Sequence, residues 1–565
     1  MTVQTQLILL ALCGYLFIIL QFLHFQKKNQ IELEQKLKKE WGTFSKKELS
    51  PSDWAQLTQS YLEDTSSYSI DAITWNDLDL NTIFLQLNHT HSSIGEEYLY
   101  HLLHTPVTKK EQLEERERLI TFFASHEKER LSFELLAESI GKQRNFSLRK
   151  ELLQVEEIPK LSSAKHLAAL ILLIGSLFLL LASPILGIFA FICVLAYGIS
   201  LYYKEKANTA KYISFFQQIV LLLKAVDKQK ECSAPELKPY LDQMAAAQKS
   251  LYPFKMLCSW ILSRAPSGSP IDLLLDYVRM FTHIDFILFN RIAEQLQTHK
   301  SEVALCMEQF GFLESMIAAA SYRQALPASC QPVFLPIGKE TCSLNIELKE
   351  VYHPAITAPI KNSINTTKSV LLTGSNASGK STFLKTTAIA ALLAQTIHTV
   401  PAEKYQAPFY QIYSSMAIQD NLSGHDSYYM AEIKSLKRIL DAKKDAVPVL
   451  CFIDEVLRGT NTIERIAAAA EILESLSNQR VLCFAATHDI ELTQLLSGNY
   501  ENYHFSEQIQ NDDILFDYKL KKGISTTRNA IRLLQQIGYD NTIISRALLR
   551  ADTFLKTGNW RKDVR

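Results

Sequence analysis

The sequence carries no excess of charge of either sign, because 59 Lys and Arg residues balance 59 Asp and Glu residues. A strongly basic or acidic surface is therefore excluded, and DNA or a lipid surface could be bound only through a local patch. The 9 cysteines include no Cys-x-x-Cys pair, which argues against a zinc site and favours a reducing compartment. The sequence has no fixed-period repeat and no low-complexity segment. With 565 residues, the chain is expected to form several domains.

Long apolar runs, by contrast, occur at two places. Residues 7–25 are nearly all apolar and are followed at once by Lys27 and Lys28, and a run of this length can cross a bilayer. A cleaved signal peptide is the alternative, but no Lys or Arg precedes the run and no small-residue cleavage site precedes the lysines. We therefore predict an uncleaved membrane anchor.

The second apolar run covers residues 167–203, about 37 residues, or roughly 55 Å as one helix against a hydrocarbon core of about 30 Å. Ser183 and Pro184 near its middle predict a turn between two membrane-spanning helices. A buried hairpin in a soluble protein is the alternative. Lysines follow the first run and flank the second on both sides, so the positive-inside bias predicts an integral membrane protein whose soluble parts face the cytoplasm.

The clearest chemical motif is a glycine loop between an apolar strand and a helix. Residues 374–381 read Gly-Ser-Asn-Ala-Ser-Gly-Lys-Ser, after the apolar residues 369–372. The backbone N–H groups of such a P-loop form a cradle for phosphate, and a glycine turn without a ligand is the alternative. Lys380 is predicted to reach the β- and γ-phosphates of ATP and Ser381 to hold Mg²⁺. The residues predicted to bind the nucleotide here are Gly374, Ser375, Asn376, Ala377, Ser378, Gly379, Lys380, Ser381 and Thr382.

Two later apolar strands end in polar residues that suit the same site. Residues 448–453 lead into Asp454 and Glu455, where Asp454 is predicted to help hold Mg²⁺ and Glu455 to act as the general base. Residues 481–486 lead into Thr487 and His488, which places His488 at the same carboxyl edge of a parallel sheet. The predicted catalytic residues are therefore Lys380, Glu455 and His488, and the predicted metal ligands are Ser381 and Asp454.

Three segments resemble, in this order, the ATPase motifs of the MutS family of DNA mismatch-repair ATPases, which belong to the wider ABC class. They are residues 372–382, 454–462 and 486–493, and residues 88–148 resemble the helical core of the same family. The resemblance implies a homodimer with composite ATP sites. It also implies that residues 420–432 are a signature loop, whose Ser427 is offered in trans to the ATP of the other subunit.

The sequence also departs from the family pattern. We expect no room for the N-terminal domain whose Phe-x-Glu wedge stacks on a mispaired base, and we find no identifiable DNA clamp. The aromatic residue that stacks on adenine is replaced by Ile360. The leading prediction is a membrane-anchored MutS-like ATPase whose ATP cycle moves helical arms, with mismatched or structured DNA as a candidate partner. The alternatives are a membrane-remodelling or transporter-like ABC-class ATPase and a nucleotide-gated scaffold, both without DNA.

The predicted fold is multidomain, with a helical core and lever plus an α/β P-loop domain of the ABC class and the membrane helices described above. Six segments are expected, from the anchor and the first part of the core to a C-terminal helical segment that dimerises. Their predicted ranges are the anchor 1–26, core 27–165, hairpin 166–203, lever and core 204–350, ATPase domain 351–528 and dimerisation segment 529–565.

Overall fold

The computed structural model describes most of the chain. The described residues are 21, 24–25, 27–61, 68–229, 234–262, 270–336, 344–375, 378–416, 428–442, 447–457, 460–477, 480–510, 513–524, 531, 534, 537–557 and 560. Nearly all of the predicted anchor 1–26 lies outside these residues, as do Asn376, Ala377 and Ser427. The chain forms two compact units, of which the first is Met1–Thr65, Leu87–Leu102 and Arg118–Ala325, and the second is Ser66–Gln86, Leu103–Glu117 and Leu326–Arg565.

The chain before residue 326 is helical. Its helices are Pro51–Tyr61, Ala72–Asp77, Leu80–Leu87, Ser93–His104, Lys110–Ser125, Glu127–Ile140, Leu148–Leu153, Ser163–Ala182, Pro184–Gln229, Lys238–Ser250, Tyr252–Leu262, Pro270–Thr282, Ile284–Thr298 and Lys300–Ala325, with a 3₁₀ turn at Val155–Glu157. Apolar side chains of those helices that belong to the first unit make its core, with Phe216, Leu223 and Phe289 at most 1% exposed. Burial of such side chains is the main source of stability in a helical fold.

The turn predicted inside the second apolar run is confirmed. One helix ends at Ala182 and the next begins at Pro184, while Ser183 is extended with φ −149° and ψ 98°. A residue before proline is driven out of the helical region by the proline ring, which explains the break. Around this turn Leu181 and Ile185 are both 84% exposed, a degree of exposure that large apolar side chains avoid in water.

Three helices are long and apolar enough to cross a membrane. The most apolar stretches of Ser163–Ala182 and Pro184–Gln229 are only 17% and 11% buried by the protein, whereas that of Lys300–Ala325 is 67% buried. Lys300–Ala325 is therefore a core helix of the first unit. The two helices of the predicted hairpin keep an apolar surface that protein does not cover.

The second unit contains two sheets and confirms the prediction of an α/β part after the helices. The larger sheet has the order β10-β9-β4-β8-β7-β6, and all its pairs are parallel except β9 with β10. The smaller sheet has the order β1-β5-β2-β3. The strands are β1 Val333–Phe334, β2 Ile346–Val351, β3 Asn362–Thr366, β4 Ser369–Thr373, β5 Lys404–Ala407, β6 Gln411–Ser415, β7 Val449–Asp454, β8 Val481–Ala486, β9 Tyr500–Gln510 and β10 Asp513–Lys522.

Helices cover the larger sheet, and every residue of β4, β7 and β8 is buried. Central parallel strands are covered on both faces, so their sequences are continuous apolar runs, which is why these three strands could be predicted. The helices of this part of the chain are Lys380–Thr396, Tyr428–Ala442, Thr462–Leu476, Glu491–Leu495 and Asn541–Thr557.

Residues from far upstream complete the edge strand β6. The Tyr68 hydroxyl donates to the Ile412 carbonyl at 2.8 Å, and the Ser414 N–H donates to the Thr74 hydroxyl at 3.1 Å. An edge strand has unpaired backbone groups that need partners, and the segment around residues 68–77 supplies them. This contribution to the second unit has no signal in the sequence.

Candidate functional site

Two glycines shape the loop after β4. Gly374 has φ 145° and Gly379 has φ 108°, a region that residues with a Cβ rarely adopt. A Cβ at Gly374 would lie 2.8 Å from the Phe505 carbonyl oxygen, and one at Gly379 would lie 3.2 Å from the Tyr518 ring. Gly379 is also the N-cap of the helix Lys380–Thr396. The loop therefore requires glycine where the sequence motif has it.

Lys380 and Ser381 open that helix and face the ends of the neighbouring strands. The Lys380 ammonium donates to the carbonyl oxygens of Gly374 at 2.9 Å and Ser375 at 2.8 Å. The Ser381 hydroxyl donates to a carboxylate oxygen of Asp454 at 2.5 Å. A hydroxyl and a carboxylate are oxygen ligands of the kind that Mg²⁺ prefers, so the two predicted metal ligands lie in contact and their donor atoms suit the ion.

Glu455 and His488 meet at the carboxyl ends of β7 and β8. Glu455 has φ 56°, and its N–H donates to the Ala486 carbonyl at 2.9 Å, which turns its side chain out of the strand direction. One carboxylate oxygen of Glu455 lies 2.8 Å from Nε2 of His488, and that nitrogen lies 3.5 Å from the Lys380 ammonium. The three predicted catalytic residues are thus neighbours, and solvent can reach the pair because the His488 side chain is 36% exposed.

Further residues that the sequence did not indicate hold these groups in place. Buried Glu432 accepts the Leu457 N–H at 2.5 Å, just after the acids of β7. Arg465 donates to both carboxylate oxygens of Asp489 at 2.7 and 3.0 Å, which ties the helix Thr462–Leu476 to the residue next to His488. Ion pairs between residues 24 positions apart leave no periodic signal, so sequence patterns could not reveal this pair.

Ser375 contacts another residue that the sequence did not single out for the site. Its hydroxyl donates to a carboxylate oxygen of Glu507 at 2.5 Å, and Glu507 on β9 is buried. Strand β9 is paired in parallel with β4, which brings Glu507 beside the loop. The hydrogen bond fixes the first turn of the P-loop to the neighbouring strand.

A pocket of about 240 Å³ lies beside Gly379 and Thr382. Ile360, the residue predicted to replace the aromatic that stacks on adenine, lines it and is 46% exposed. Tyr518 also lines it and is 43% exposed, and desolvation lowers the pKa of the lining residue His353. The other lining residues are Val351, Ile356, Ala358, Pro359, Asn362, Phe383, Thr386 and Phe505.

The predicted site residues therefore fall into two groups. Asn376, Ala377 and Ser427 lie outside the described residues. The other predicted residues line one continuous region at the carboxyl edge of the larger sheet. They are Ile360, Gly374, Ser375, Ser378, Gly379, Lys380, Ser381, Thr382, Asp454, Glu455 and His488.

Comparison with known proteins identifies this part of the chain. Residues 370–554 match the family model of MutS domain V. This part of the chain is therefore similar to domain V of the MutS family. The matched range contains Lys380, Ser381, Asp454, Glu455 and His488, so the whole polar edge described above belongs to the MutS domain, whereas Ile360 precedes the range.

Individual relatives agree with the domain match. The DNA mismatch repair protein MutS of Thermus thermophilus is 33% identical over 179 residues, 32% of this chain and 22% of that protein. The protein of the same name from Thermotoga petrophila is 28% identical over 277 residues, 46% of this chain and 33% of that protein. MutS protein homolog 4 of Homo sapiens is 34% identical over 201 residues, 33% of this chain and 21% of that protein. The chain thus spans about a fifth to a third of the length of these curated MutS relatives.

Proposed function

We propose that the chain is a membrane-anchored MutS-type ATPase that binds ATP with Mg²⁺ and hydrolyses it. One observation carries the proposal. At a single sheet edge, the Ser381 hydroxyl donates to the Asp454 carboxylate, and His488 lies within hydrogen-bonding reach of both Glu455 and Lys380. These are the groups that ATP hydrolysis requires, in one place.

Each group has a role that follows from its chemistry. Lys380 exchanges its two carbonyl partners for the β- and γ-phosphates, whose charge it neutralises. Ser381 and Asp454 would hold Mg²⁺, and the ion would supply positive charge opposite the phosphate oxygens. Glu455 accepts the proton of the attacking water, and His488, 2.8 Å away, orients Glu455 and the water.

The pocket beside Gly379 is proposed to hold the nucleotide base. Ile360 offers an apolar face, and the exposed ring of Tyr518 offers a surface on which a base can stack. The ring of Tyr518 can thus provide the stacking contact that an aromatic residue at position 360 would otherwise provide. Base preference then depends on the lining of this pocket and not on Ile360 alone.

The protein is proposed to act as a homodimer in the membrane, with its ATPase domain in the cytoplasm. In the dimer each subunit offers Ser427 to the ATP of the other, so that ATP binding closes the pair and hydrolysis releases it, moving the helical arms. Most of the apolar surface of the hairpin is not buried by other parts of the described chain, and this supports the membrane location. Lysines at the hairpin's ends support a cytoplasmic ATPase domain.

The ATPase proposal can be tested with the full-length protein in detergent. Lys380→Ala should weaken ATP binding by about a hundredfold, because two charge-assisted contacts to phosphate are lost. Lys404→Ala is the matched control, since Lys404 pairs with Glu347 in the smaller sheet and should leave affinity unchanged. Tight ATP binding by Lys380→Ala would contradict the proposal.

DNA is a proposed partner because the relatives named above are DNA mismatch repair proteins. Binding of duplex or branched DNA to the full-length protein, measured with and without ATP at two salt concentrations, decides this part. Phosphate contacts predict affinity that falls steeply with salt. An ATPase that neither binds DNA nor responds to it would favour the alternative of a membrane-remodelling machine, which the exposed hairpin also supports.

A further inference from the structure

The helix Pro270–Thr282 packs against the proposed membrane hairpin. A small cavity is bounded by residues of both hairpin helices and by the end of this helix. The hairpin contributes Ala169, Leu173, Val194, Leu195, Gly198 and Ile199, and the other side consists of Met280, Phe281 and His283. The end of the helix Pro270–Thr282 therefore lies at the same level as these hairpin residues.

That level lies inside the apolar part of the hairpin. Counted from Pro184 at 1.5 Å per residue, Val194 is about 15 Å and Ile199 about 22 Å from the turn. On the other helix, counted from Ala182, Leu173 is about 14 Å and Ala169 about 20 Å from the turn. If the turn reaches the far side of a core of about 30 Å, Met280 and Phe281 lie several ångströms within the cytoplasmic leaflet.

A buried polar turn fixes this position. His283 has φ 53° and is 1% exposed, and it separates the helix Pro270–Thr282 from the helix Ile284–Thr298. Its Nδ1 lies 3.0 Å from Nδ1 of His166, on the first hairpin helix. The Tyr202 hydroxyl, on the second hairpin helix, donates to Asp285 at 3.3 Å. The turn between the two helices is thus attached to both arms of the hairpin near their cytoplasmic ends.

The exposed side chains of residues 277–284 are apolar or aromatic, whereas the preceding Asp276 has a side chain that is 65% exposed. Tyr277 is 50% exposed, Val278 46% and Ile284 38%. The nearby charge is internally paired, because Arg279 donates to Asp276 at 3.0 Å. Tyrosine with small aliphatic neighbours is typical of the interface between acyl chains and headgroups.

We propose that residues 277–284 insert into the cytoplasmic leaflet beside the hairpin and contact lipid through Tyr277, Val278 and Ile284. The inference rests on the proposed membrane location of the hairpin and adds a second lipid-contacting element that ties the returning helix Ile284–Thr298 to the bilayer. Hydropathy alone does not indicate it, because a helix of 13 residues that contains Asp276 and Arg279 is too short and too charged to count as a span.

The test uses full-length protein in phosphatidylcholine vesicles with bromine on the acyl chains, which quenches tryptophan by contact. Four single variants are compared with the unchanged protein, whose own tryptophan signal is subtracted. Tyr277→Trp and Val278→Trp report on the turn, and Tyr277→Trp, an aromatic exchange at an exposed site, guards against a folding defect. Phe189→Trp reports on the hairpin, and Ile463→Trp, at a position 79% exposed in the second unit, is the control outside the membrane.

We expect Tyr277→Trp and Val278→Trp to lose fluorescence to a degree comparable with Phe189→Trp, while Ile463→Trp keeps its signal. Quenching of Phe189→Trp without quenching at positions 277 and 278 would overturn the inference and leave the membrane hairpin intact. That result would also be obtained if a second copy of the chain covered the turn. An unquenched Phe189→Trp would instead overturn the membrane location on which the inference rests.

Discussion

Two clusters of charged side chains differ in where their partners come from. In the first unit, Glu96, Glu97 and Glu314 are at most 4% exposed. At the sheet edge of the second unit, the Glu455 side chain is 24% exposed and that of His488 is 36% exposed. Both clusters gather acids and bases, but the carboxylates named in the first are buried, whereas in the second an acid and a base that contact each other, Glu455 and His488, are both partly exposed.

The buried cluster is satisfied by the protein itself. Glu314 accepts the backbone N–H groups of His91 and Ser92, the latter at 2.9 Å, at the start of the helix Ser93–His104. Burial alone would raise the pKa of Glu96, but neighbouring Lys142 and Arg144 keep it below its usual value. Such a cluster holds helices together, because every buried charge meets a fixed partner.

The cluster at the sheet edge contains both buried and partly exposed groups. Buried Lys380 donates to carbonyl oxygens of its own loop and lies 3.5 Å from His488, and the side chains of Glu455 and His488 are partly exposed. The first cluster therefore stabilises the helical unit, whereas the second is proposed to bind a ligand. The two clusters differ in how deeply their charged side chains are buried and in which groups those side chains contact. Substitutions in each cluster test this difference.

Glu455→Gln should have the largest effect. Removing the base should lower kcat by about a thousandfold, within the range for general base catalysis, while ATP still binds and an ATP-bound dimer accumulates. Steady-state ATPase assays and size-exclusion chromatography with ATP measure both. Glu471→Gln, at an exposed position of the helix Thr462–Leu476, is the control, and hydrolysis by Glu455→Gln at the original rate would remove Glu455 as the base.

Glu314→Ala should act on stability and not on ATP. It leaves two buried N–H groups of residues 91 and 92 without their acceptor, which should cost about 2–4 kcal/mol in the free energy of unfolding, measured by urea denaturation in detergent. Glu308→Ala, at an exposed position of the same helix, should cost little. ATP affinity should not change in either variant, and a large loss of affinity in Glu314→Ala would erase the distinction between the two clusters.

Gly95 sharpens the same prediction. A Cβ at Gly95 would collide with the Glu314 carboxylate, so Gly95→Ala alone should also be destabilising. In the double variant with Glu314→Ala the obstacle is gone. The double variant should therefore lose less unfolding free energy than the sum of the two single losses, as expected for residues in contact.

The ion pair of Arg465 and Asp489 should have the smallest effect. Asp489, which accepts its hydrogen bonds, and more weakly Glu455 raise the pKa of Arg465, so the pair lies within the field of the proposed base. Arg465→Ala should lower kcat about tenfold with little change in ATP affinity, since the loop that carries His488 loses its support. The charge exchange of Arg465→Asp with Asp489→Arg should restore part of the rate.

The control variant is Lys404→Ala, which removes the ion pair between Lys404 and Glu347. Loss of both kcat and ATP affinity in Arg465→Ala, without recovery on charge exchange, would indicate a general structural role. An unchanged kcat would show that His488 keeps its place without the pair.

Parts of the molecule could be predicted because their signals are local. The strands β4, β7 and β8 are buried apolar runs, and parallel order brings their carboxyl ends together, so Lys380, Asp454 and His488 could be assigned to one edge. The hairpin turn followed from Pro184, which restricts its neighbour's backbone. The roles assigned to these residues, the domain boundaries and the dimer stay predictions.

Other parts had no local signal. The partners of β6 are Tyr68 and Thr74, more than three hundred residues upstream in sequence. The insertion of residues 277–284 depends on where a short helix packs along the hairpin, which neither its length nor its composition reveals.

By itself, the sequence determined the glycine loop after β4, the resemblance of the C-terminal part to MutS domain V and the apolar hairpin, because glycine, proline and continuous apolar runs act over a few neighbouring residues. Only the tertiary structure decided which charges are buried with partners and which face solvent. It also decided that Tyr518 stands beside the loop and that Arg465 supports His488. These depend on which distant segments the fold brings into contact, and such contacts have no fixed spacing along the chain.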